Sequence, residues 1–246
     1  MRSRLVFLIP AVAITAIFLL VGRPYAAQQD AAGILRKSYA AESDCTLTGS
    51  LRTTLGTGKD VDQARVRVRR SGSKLRMDYL SGPSRGTTIL DDGKSVIRLD
   101  KPKRVAYASA TQPAPTRIDL LLKNYRPVLA GSGRIAGRDC HIVRLEPKSK
   151  GNPWKKLWID KDSFVSLKTV RHNSEGDVSM LSEYLEVDYR SRPPAEAFAV
   201  PAGWRVEKIA LKSVTRCPVE ACKRVGFAPL QPGYVPKGYV FDGYCE

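Results

Sequence analysis

The sequence predicts an α+β protein whose main feature is a large, curved antiparallel β-sheet packed around helices. Apolar and polar residues alternate with a period of two over most of the chain after Cys45, as in residues 64–70 (ARVRVRR) and 74–80 (KLRMDYL), which is typical of strands with one buried face. The strand-like segments follow one another through short polar turns, such as Asp91-Asp92-Gly93. A parallel sheet requires strands that alternate regularly with helices, and this sequence shows no such alternation. A sheet of about ten strands must curl or close, and a helix across its concave face would cover apolar surface.

Two segments have apolar residues at the spacing of an α-helix. The first is Asp30–Ala41, where Asp30 is a suitable N-cap, and the second is Thr116–Tyr125, where Thr116 has the same role. The apolar residues that recur at helical spacing are Ile34, Leu35 and Tyr39 in the first segment and Ile118, Leu121, Leu122 and Tyr125 in the second.

The N-terminus indicates export. Arg2 and Arg4 precede an apolar segment, Leu5–Gly22, and small residues then follow at Ala26 and Ala27. This is the layout of a secretory signal peptide over residues 1–27, which would make the mature protein extracytoplasmic. An uncleaved membrane anchor is the alternative, because the apolar segment is just long enough to span a bilayer.

The rest of the chain accommodates one sizeable domain, expected over residues 28–204, and a small C-terminal module over 205–246. The module is marginal for an independent core, so it is either stapled by cysteines or incomplete. The net charge of +17 favours an anionic lipid or an acidic protein as partner over nucleic acid in an exported protein. Because the charges are scattered, a basic surface without a specific partner is the alternative.

Five cysteines in an exported chain suggest disulfides with one thiol left over. The disulfide candidates are Cys45, Cys140, Cys217, Cys222 and Cys245. The preferred pairing joins Cys45 to Cys140 and forms one bond among the last three, although spacing alone leaves the other pairings open. A zinc site at the three C-terminal cysteines is a weaker alternative, because no fourth ligand lies nearby.

No catalytic signature is found. His141 follows Cys140 directly within a strand-like segment, so the two side chains are expected on opposite faces and cannot form a nucleophile–base pair. His172 precedes a turn and is expected to face solvent. Nucleophile-elbow, metalloprotease, phosphate-loop and dinucleotide-binding motifs are absent from the sequence. The sequence therefore predicts a protein that is not an enzyme, with no catalytic residue, metal or cofactor.

The order of these segments resembles the LolA/LolB-like superfamily and, more closely, the N-terminal domain of the MucB/RseB family of sigma-E regulatory proteins. The resemblance covers roughly residues 30–204. The matching segments are 89–94 (ILDDGK), 137–145 (GRDCHIVRL), 157–160 (LWID) and 198–204 (FAVPAGW). Residues 225–244 are similar to the start of the small C-terminal domain of such regulators. The resemblance implies a periplasmic half-barrel with a helical lid and a hydrophobic cavity for acyl chains.

A lipid-binding role would rest on apolar side chains of the strands and of the second helix. The candidate lining residues are Leu75, Met77, Tyr79, Val105, Tyr107, Leu121, Leu122 and Tyr125. The expected partners are an acyl chain or lipoprotein, an anionic lipid, or the periplasmic segment of an anti-sigma factor. The role would be regulation of the envelope-stress response or lipoprotein sorting. The alternative is an interaction module with a filled core that binds an anti-sigma factor or another membrane protein.

Overall fold

A computed structural model describes residues 24–57, 60–110 and 118–209, together with residues 214–215, 220, 223, 226–227, 230, 233–235, 237 and 244–245. Two α-helices and fourteen strands are defined in these residues. The helices are α1 (Pro24–Asp44) and α2 (Ile118–Asn124). The strands are β1 (Thr46–Thr57), β2 (Asp60–Ser71), β3 (Lys74–Tyr79), β4 (Thr88–Asp91), β5 (Ser95–Asp100), β6 (Val105–Ala110), β7 (Tyr125–Ile135), β8 (Arg138–Pro147), β9 (Trp154–Asp160), β10 (Ser166–His172), β11 (Val178–Asp188), β12 (Arg205–Lys208), β13 (Val214–Thr215) and β14 (Tyr244–Cys245).

Twelve of the strands form one sheet, in the order β12-β6-β5-β4-β3-β2-β1-β11-β10-β9-β8-β7, and β13 and β14 form a separate pair. The large sheet consists of two antiparallel meanders, β1 to β6 and β7 to β11, which join where β1 pairs with β11. Between the meanders the chain must travel from one side of the sheet to the opposite edge. The connection that contains α2 makes this crossing.

The sheet is strongly curled. Leu47 on β1 and Ile135 on β7 belong to strands five positions apart in the sheet, which would be about 24 Å in a flat sheet. Both nevertheless pack in one apolar cluster with Val66, Val68 and Cys140. We call this the first core cluster. Such contacts require the second meander to fold back over the first.

Both helices lie on the inside of this curl. Ile34 and Leu35 of α1 are buried against Val143, Leu145 and Ile159 of strands β8 and β9. We call this group the second core cluster, and the residues of α2 pack at its margin. Because opposite residues of paired strands share a face, the strand register assigns side chains to this inner, helix-covered face or to the outer face.

A third cluster lies on the outer face, where β4, β5 and β6 are covered by the chain that leaves β11. A short 3-10 helix, Ala195–Phe198, lies there with Phe198 buried, and Val200 and Trp204 pack on the third cluster. The chain then adds β12 parallel to β6.

The predicted fold class, an α+β protein with a curved antiparallel sheet around helices, is confirmed. Helix α1 is longer than expected at both ends, and α2 ends at Asn124 because Tyr125 already pairs with Pro147. Thr116, the predicted cap, lies outside the described residues. The sheet continues past residue 204, the predicted domain boundary, because β12 belongs to it. Of the helices in the described residues, neither is both long and apolar enough to cross a bilayer.

Candidate ligand-binding site

An open groove of about 540 Å³ runs between α1, α2 and the edge strand β7. Its walls are formed by Ala32, Leu122, Tyr125, Arg126, Pro127, Pro147 and Lys148. The two cations are engaged by protein groups, because Arg126 pairs with Glu146 and the Lys148 ammonium donates a hydrogen bond of 2.8 Å to the Leu122 carbonyl. The groove is therefore lined by apolar side chains together with two cations that other protein groups hold in place.

Two of the eight residues proposed from sequence line this groove, Leu122 and Tyr125. Leu121, from the same helix, packs at the margin of the second core cluster. The exposed apolar side chain among the described residues of α2 is Leu120, which is 53% accessible. The helical spacing thus identified the buried side of α2.

Three further candidates, Leu75, Met77 and Tyr79, lie on the inner face of β3. Their side chains are half-buried and pack against the first core cluster. The sequence predicted the inner face for these residues. The packing makes them core residues in this structure rather than walls of the groove.

The last two candidates lie apart from both groups. Val105 is buried on β6, and Tyr107 is half-buried with the Arg98 guanidinium 4.9 Å above its ring. The eight residues therefore lie in three separate places. Those at or beside the groove are Leu121, Leu122 and Tyr125.

A strip of polar residues separates the two inner core clusters, and the sequence did not single it out. Thr53, Ser182 and Thr169 lie opposite one another across β1, β11 and β10. Next to them, Arg171 and Lys155 are paired across β10 and β9. We call these five residues the polar strip. Each is half-buried or exposed, so the inner face is not one continuous apolar core.

The electrostatics of the polar strip involve the end of helix α1. Loss of hydration and the neighbouring Arg171 lower the pKa of Lys155, and Glu42 opposes this change. Loss of hydration likewise raises the pKa of the Glu42 carboxyl, against the effect of Arg70 and Lys155. Burial raises the pKa of Tyr39, on the same helix, and Glu42 adds to the rise. Charged groups of α1 and of the strip therefore influence one another on the inner face.

A second polar group, at the turn between β9 and β10, has a structural role. The Asp160 side chain is 1% exposed and accepts both Nε and Nη2 of Arg138, as well as the backbone amides of Asp162 and Ser163. Burial alone would raise the pKa of Asp160, but these hydrogen bonds outweigh it and lower the pKa. The Arg138 guanidinium also lies 5.0 Å from the Tyr189 ring centroid. This arrangement fixes the turn that follows the LWID segment.

Cys45 and Cys140 are free thiols in the structure, so the bond predicted between them is not formed there. Both nevertheless pack in the first core cluster, Cys140 fully buried and Cys45 at its margin. Their oxidation in the exported protein stays a prediction. Cys217 and Cys222 lie outside the described residues. Of Cys245 the structure describes only the backbone. Within the described ranges, no three metal-ligating side chains are grouped.

Both histidines lie on strands and are partly buried. His141 is half-buried on β8, while Cys140 beside it is fully buried. His172 was expected to face solvent, and this was wrong in part. Its ring stacks on Trp154 with centroids 3.6 Å apart, and its Nδ1 lies 2.9 Å from the Gly176 carbonyl oxygen. The cross-strand pairing of His172 with Trp154 explains this contact.

A curled, unclosed sheet with helices on its inner face and an open groove beside them defines a half-barrel. The family model for the MucB/RseB N-terminal domain matches residues 43–203. This is more than half of the chain, and the protein belongs to that family.

Solved structures support the same fold. MucB of Pseudomonas aeruginosa in complex with MucA is 16% identical, with a TM-score of 0.57 over 77% of this chain and 72% of that chain. A structure of MucB alone is 17% identical, with a TM-score of 0.57 over 77% and 68% of the two chains. An uncharacterised conserved protein from Thermus thermophilus is 16% identical, with a TM-score of 0.54 over 74% and 100%. No curated protein matches the chain.

Proposed function

We propose that this protein is an extracytoplasmic binding protein that holds an acyl chain, free or attached to a lipoprotein, in the groove between α1, α2 and β7. The observation that carries the proposal is the groove itself. Its volume of about 540 Å³ lies in the range typical of small-molecule sites, and its apolar wall includes Leu122 and Tyr125. The match to the MucB/RseB N-terminal domain supports a role in the envelope-stress response or in lipoprotein sorting.

The proposal includes export and the domain layout. Residues 1–27 would act as a signal peptide or anchor, residues 28–204 would form the binding domain, and residues 205–246 would begin a second module. Binding and release of a chain require no catalytic group, which agrees with the absence of catalytic motifs from the sequence.

Uptake of a fluorescent fatty acid by the purified protein tests the groove. Leu122→Glu places a carboxylate on the groove wall and should weaken binding about tenfold or more, because an unpaired charge would have to be buried against the chain. Leu120→Glu is the matched control, since its side chain is exposed on the same short helix. The control should bind like the wild type.

Equal loss of binding in both variants, with the fold retained, would place the ligand elsewhere than in the groove. Absence of saturable uptake by the wild-type protein would contradict acyl-chain binding itself. Folding of each variant is checked by its urea midpoint.

A second candidate function is binding of the periplasmic segment of an anti-sigma factor. The supporting observation is that two of the similar solved structures are complexes of MucB with MucA. Calorimetric titration with the periplasmic segment of an anti-sigma factor encoded beside this gene tests it directly. Binding that is unaffected by Leu122→Glu and by delipidation would favour this interaction module over the acyl-chain carrier.

A further inference from the structure

Two cations face each other on the inner face of the sheet. Lys155 of β9 and Arg171 of β10 are direct cross-strand partners, and like charges in this position destabilise a sheet. Their neighbours in the same cross-strand row are apolar, with Leu145 beside Lys155 and Met180 followed by Leu55 beside Arg171. The row therefore places two positive charges between aliphatic side chains.

Neither charge has a direct hydrogen-bonded or ion-paired partner in the part of the protein that the structure describes. No ion pair or hydrogen bond of the described residues includes the Lys155 ammonium or the Arg171 guanidinium. Glu42 acts on Lys155 only through space. Arg70, a further cation near Glu42, donates a hydrogen bond of 2.6 Å to the Glu42 backbone carbonyl and not to its carboxylate. The two charged groups that act on the Glu42 carboxyl, Arg70 and Lys155, are both cations.

The outer face of the same strands shows the contrast. There, Glu183 lies between Arg52 on β1 and Lys168 on β10, at 2.7 and 3.4 Å from their nitrogens. Glu183 therefore compensates a cation on each of two strands at this place on the outer face, whereas no carboxylate contacts Lys155 or Arg171 among the described residues of the inner face. Like charges directly opposite one another break a rule of sheet stability. When no contact within the protein compensates for such a pair, a functional role is the expected reason.

We propose that Lys155 and Arg171 form a binding site for an oxyanion, the carboxylate or phosphate head group of an amphiphile whose apolar part lies on Met180 and Leu55. A guanidinium presents two parallel donors to such a group, and an ammonium adds a third donor and a second charge. Leu55 is 53% exposed and Met180 is half-buried, so both are accessible to an apolar chain. This site is distinct from the groove, because the fully buried Leu145 of the second core cluster lies between Lys155 and Pro127 in the groove wall.

Acetylation of lysine amines, followed by peptide mass spectrometry, tests the site locally. Octanoate, octyl phosphate and inorganic phosphate are the anionic probes, octanol is the uncharged probe, and the exposed Lys101 is an internal control. Saturating octanoate or octyl phosphate should slow acetylation of Lys155 about tenfold or more, as charge-assisted hydrogen bonds of this kind predict. Octanol should give no protection, and Lys101 should react at a constant rate.

Variants separate this site from the groove. Arg171→Met should abolish the protection of Lys155, Arg171→Lys should restore much of it, and Leu122→Glu should leave it unchanged. Protection by inorganic phosphate alone would support the anion site even if no fatty acid enters the groove. Equal acetylation of Lys155 with and without every anion, or equal protection by octanol, would overturn the inference while leaving the groove untouched.

Discussion

Arg138 and Asp160 join two of the four matching segments of the chain, GRDCHIVRL and LWID, through a single ion pair. Asp160 ends β9 with its carboxylate fully buried, and Arg138 begins β8 with its guanidinium partly exposed. The same carboxylate accepts the amides of the following turn at 2.8 and 3.3 Å. One contact therefore fixes the start of one strand, the end of another and the turn between β9 and β10.

Replacement of Arg138 should be strongly destabilising. Arg138→Met leaves the Asp160 carboxylate buried with only its two amide donors, and we expect a loss of about 3 kcal/mol in the free energy of unfolding, near the lower end for a broken buried pair. Urea denaturation measures the loss. Arg134→Met is the matched control, since Arg134 lies in the same hairpin and, among the described residues, its guanidinium donates to the Gly137 carbonyl alone. A loss below about 1 kcal/mol, as exposed pairs give, would show that the pair does not hold the turn.

The same carboxylate should contribute to the pH dependence of stability. Its pKa is lower in the folded than in the unfolded protein, so its contribution is fully present above the unfolded value of about 3.9 and is lost as the pH falls through the folded value. The difference in unfolding free energy between wild type and Asp160→Asn should therefore be constant near neutral pH and shrink below about pH 4. A difference that stays constant down to about pH 2 would contradict this role for the carboxylate.

The two described thiols should react at different rates. Burial raises the pKa of both thiols, that of Cys140 to about 11, and only the thiolate is nucleophilic. Cys45 is half-buried, whereas Cys140 is fully buried and closed to reagents. Iodoacetamide at about pH 8 should modify Cys45 first in the native protein and Cys140 only after unfolding, as peptide mass spectrometry would show. If the exported protein instead contains the bond predicted between them, neither thiol will react until a reductant is added.

Removal of one charge from the polar strip should stabilise the protein. Lys155→Met relieves the repulsion from Arg171, and we expect a gain of up to about 1 kcal/mol in the free energy of unfolding. Because the pKa of Lys155 is lowered by folding, the unfolded chain binds more protons between the two values, and wild-type stability should rise with pH there. The gain should therefore shrink in alkaline solution. Lys101→Met is the control, and a loss of stability in Lys155→Met would mean that the lysine has a structural partner.

The sequence was a good guide to the fold because alternation is a local property. The inner positions of β3, the apolar stripe of α2 and the turn at Asp91-Asp92-Gly93 all follow from neighbouring residues. In that turn, Asp91 and Asp92 accept backbone amides at 2.6 to 2.8 Å, as turn residues do.

The candidate site was harder to predict because it depends on register and curl. Arg171 and Lys155 become neighbours only once β9 and β10 are aligned, and irregular register between Ser166 and Lys168 precedes that pairing. Alternation places Met77 on the inner face, but only the curl that brings Ile135 and Cys140 over β2 makes it a core residue. For the same reason, a substitution at Met77 would test stability rather than binding.

The most direct test of acyl-chain binding is native mass spectrometry of the protein purified from the cell envelope without detergent. The account predicts a species heavier than the polypeptide, whose extra mass is released by organic extraction as a molecule with an acyl chain. The Leu122→Glu variant should lack this species, while Leu120→Glu should keep it. A folded wild-type protein that carries only its polypeptide mass, and takes up no fatty acid when this is added, would contradict the account.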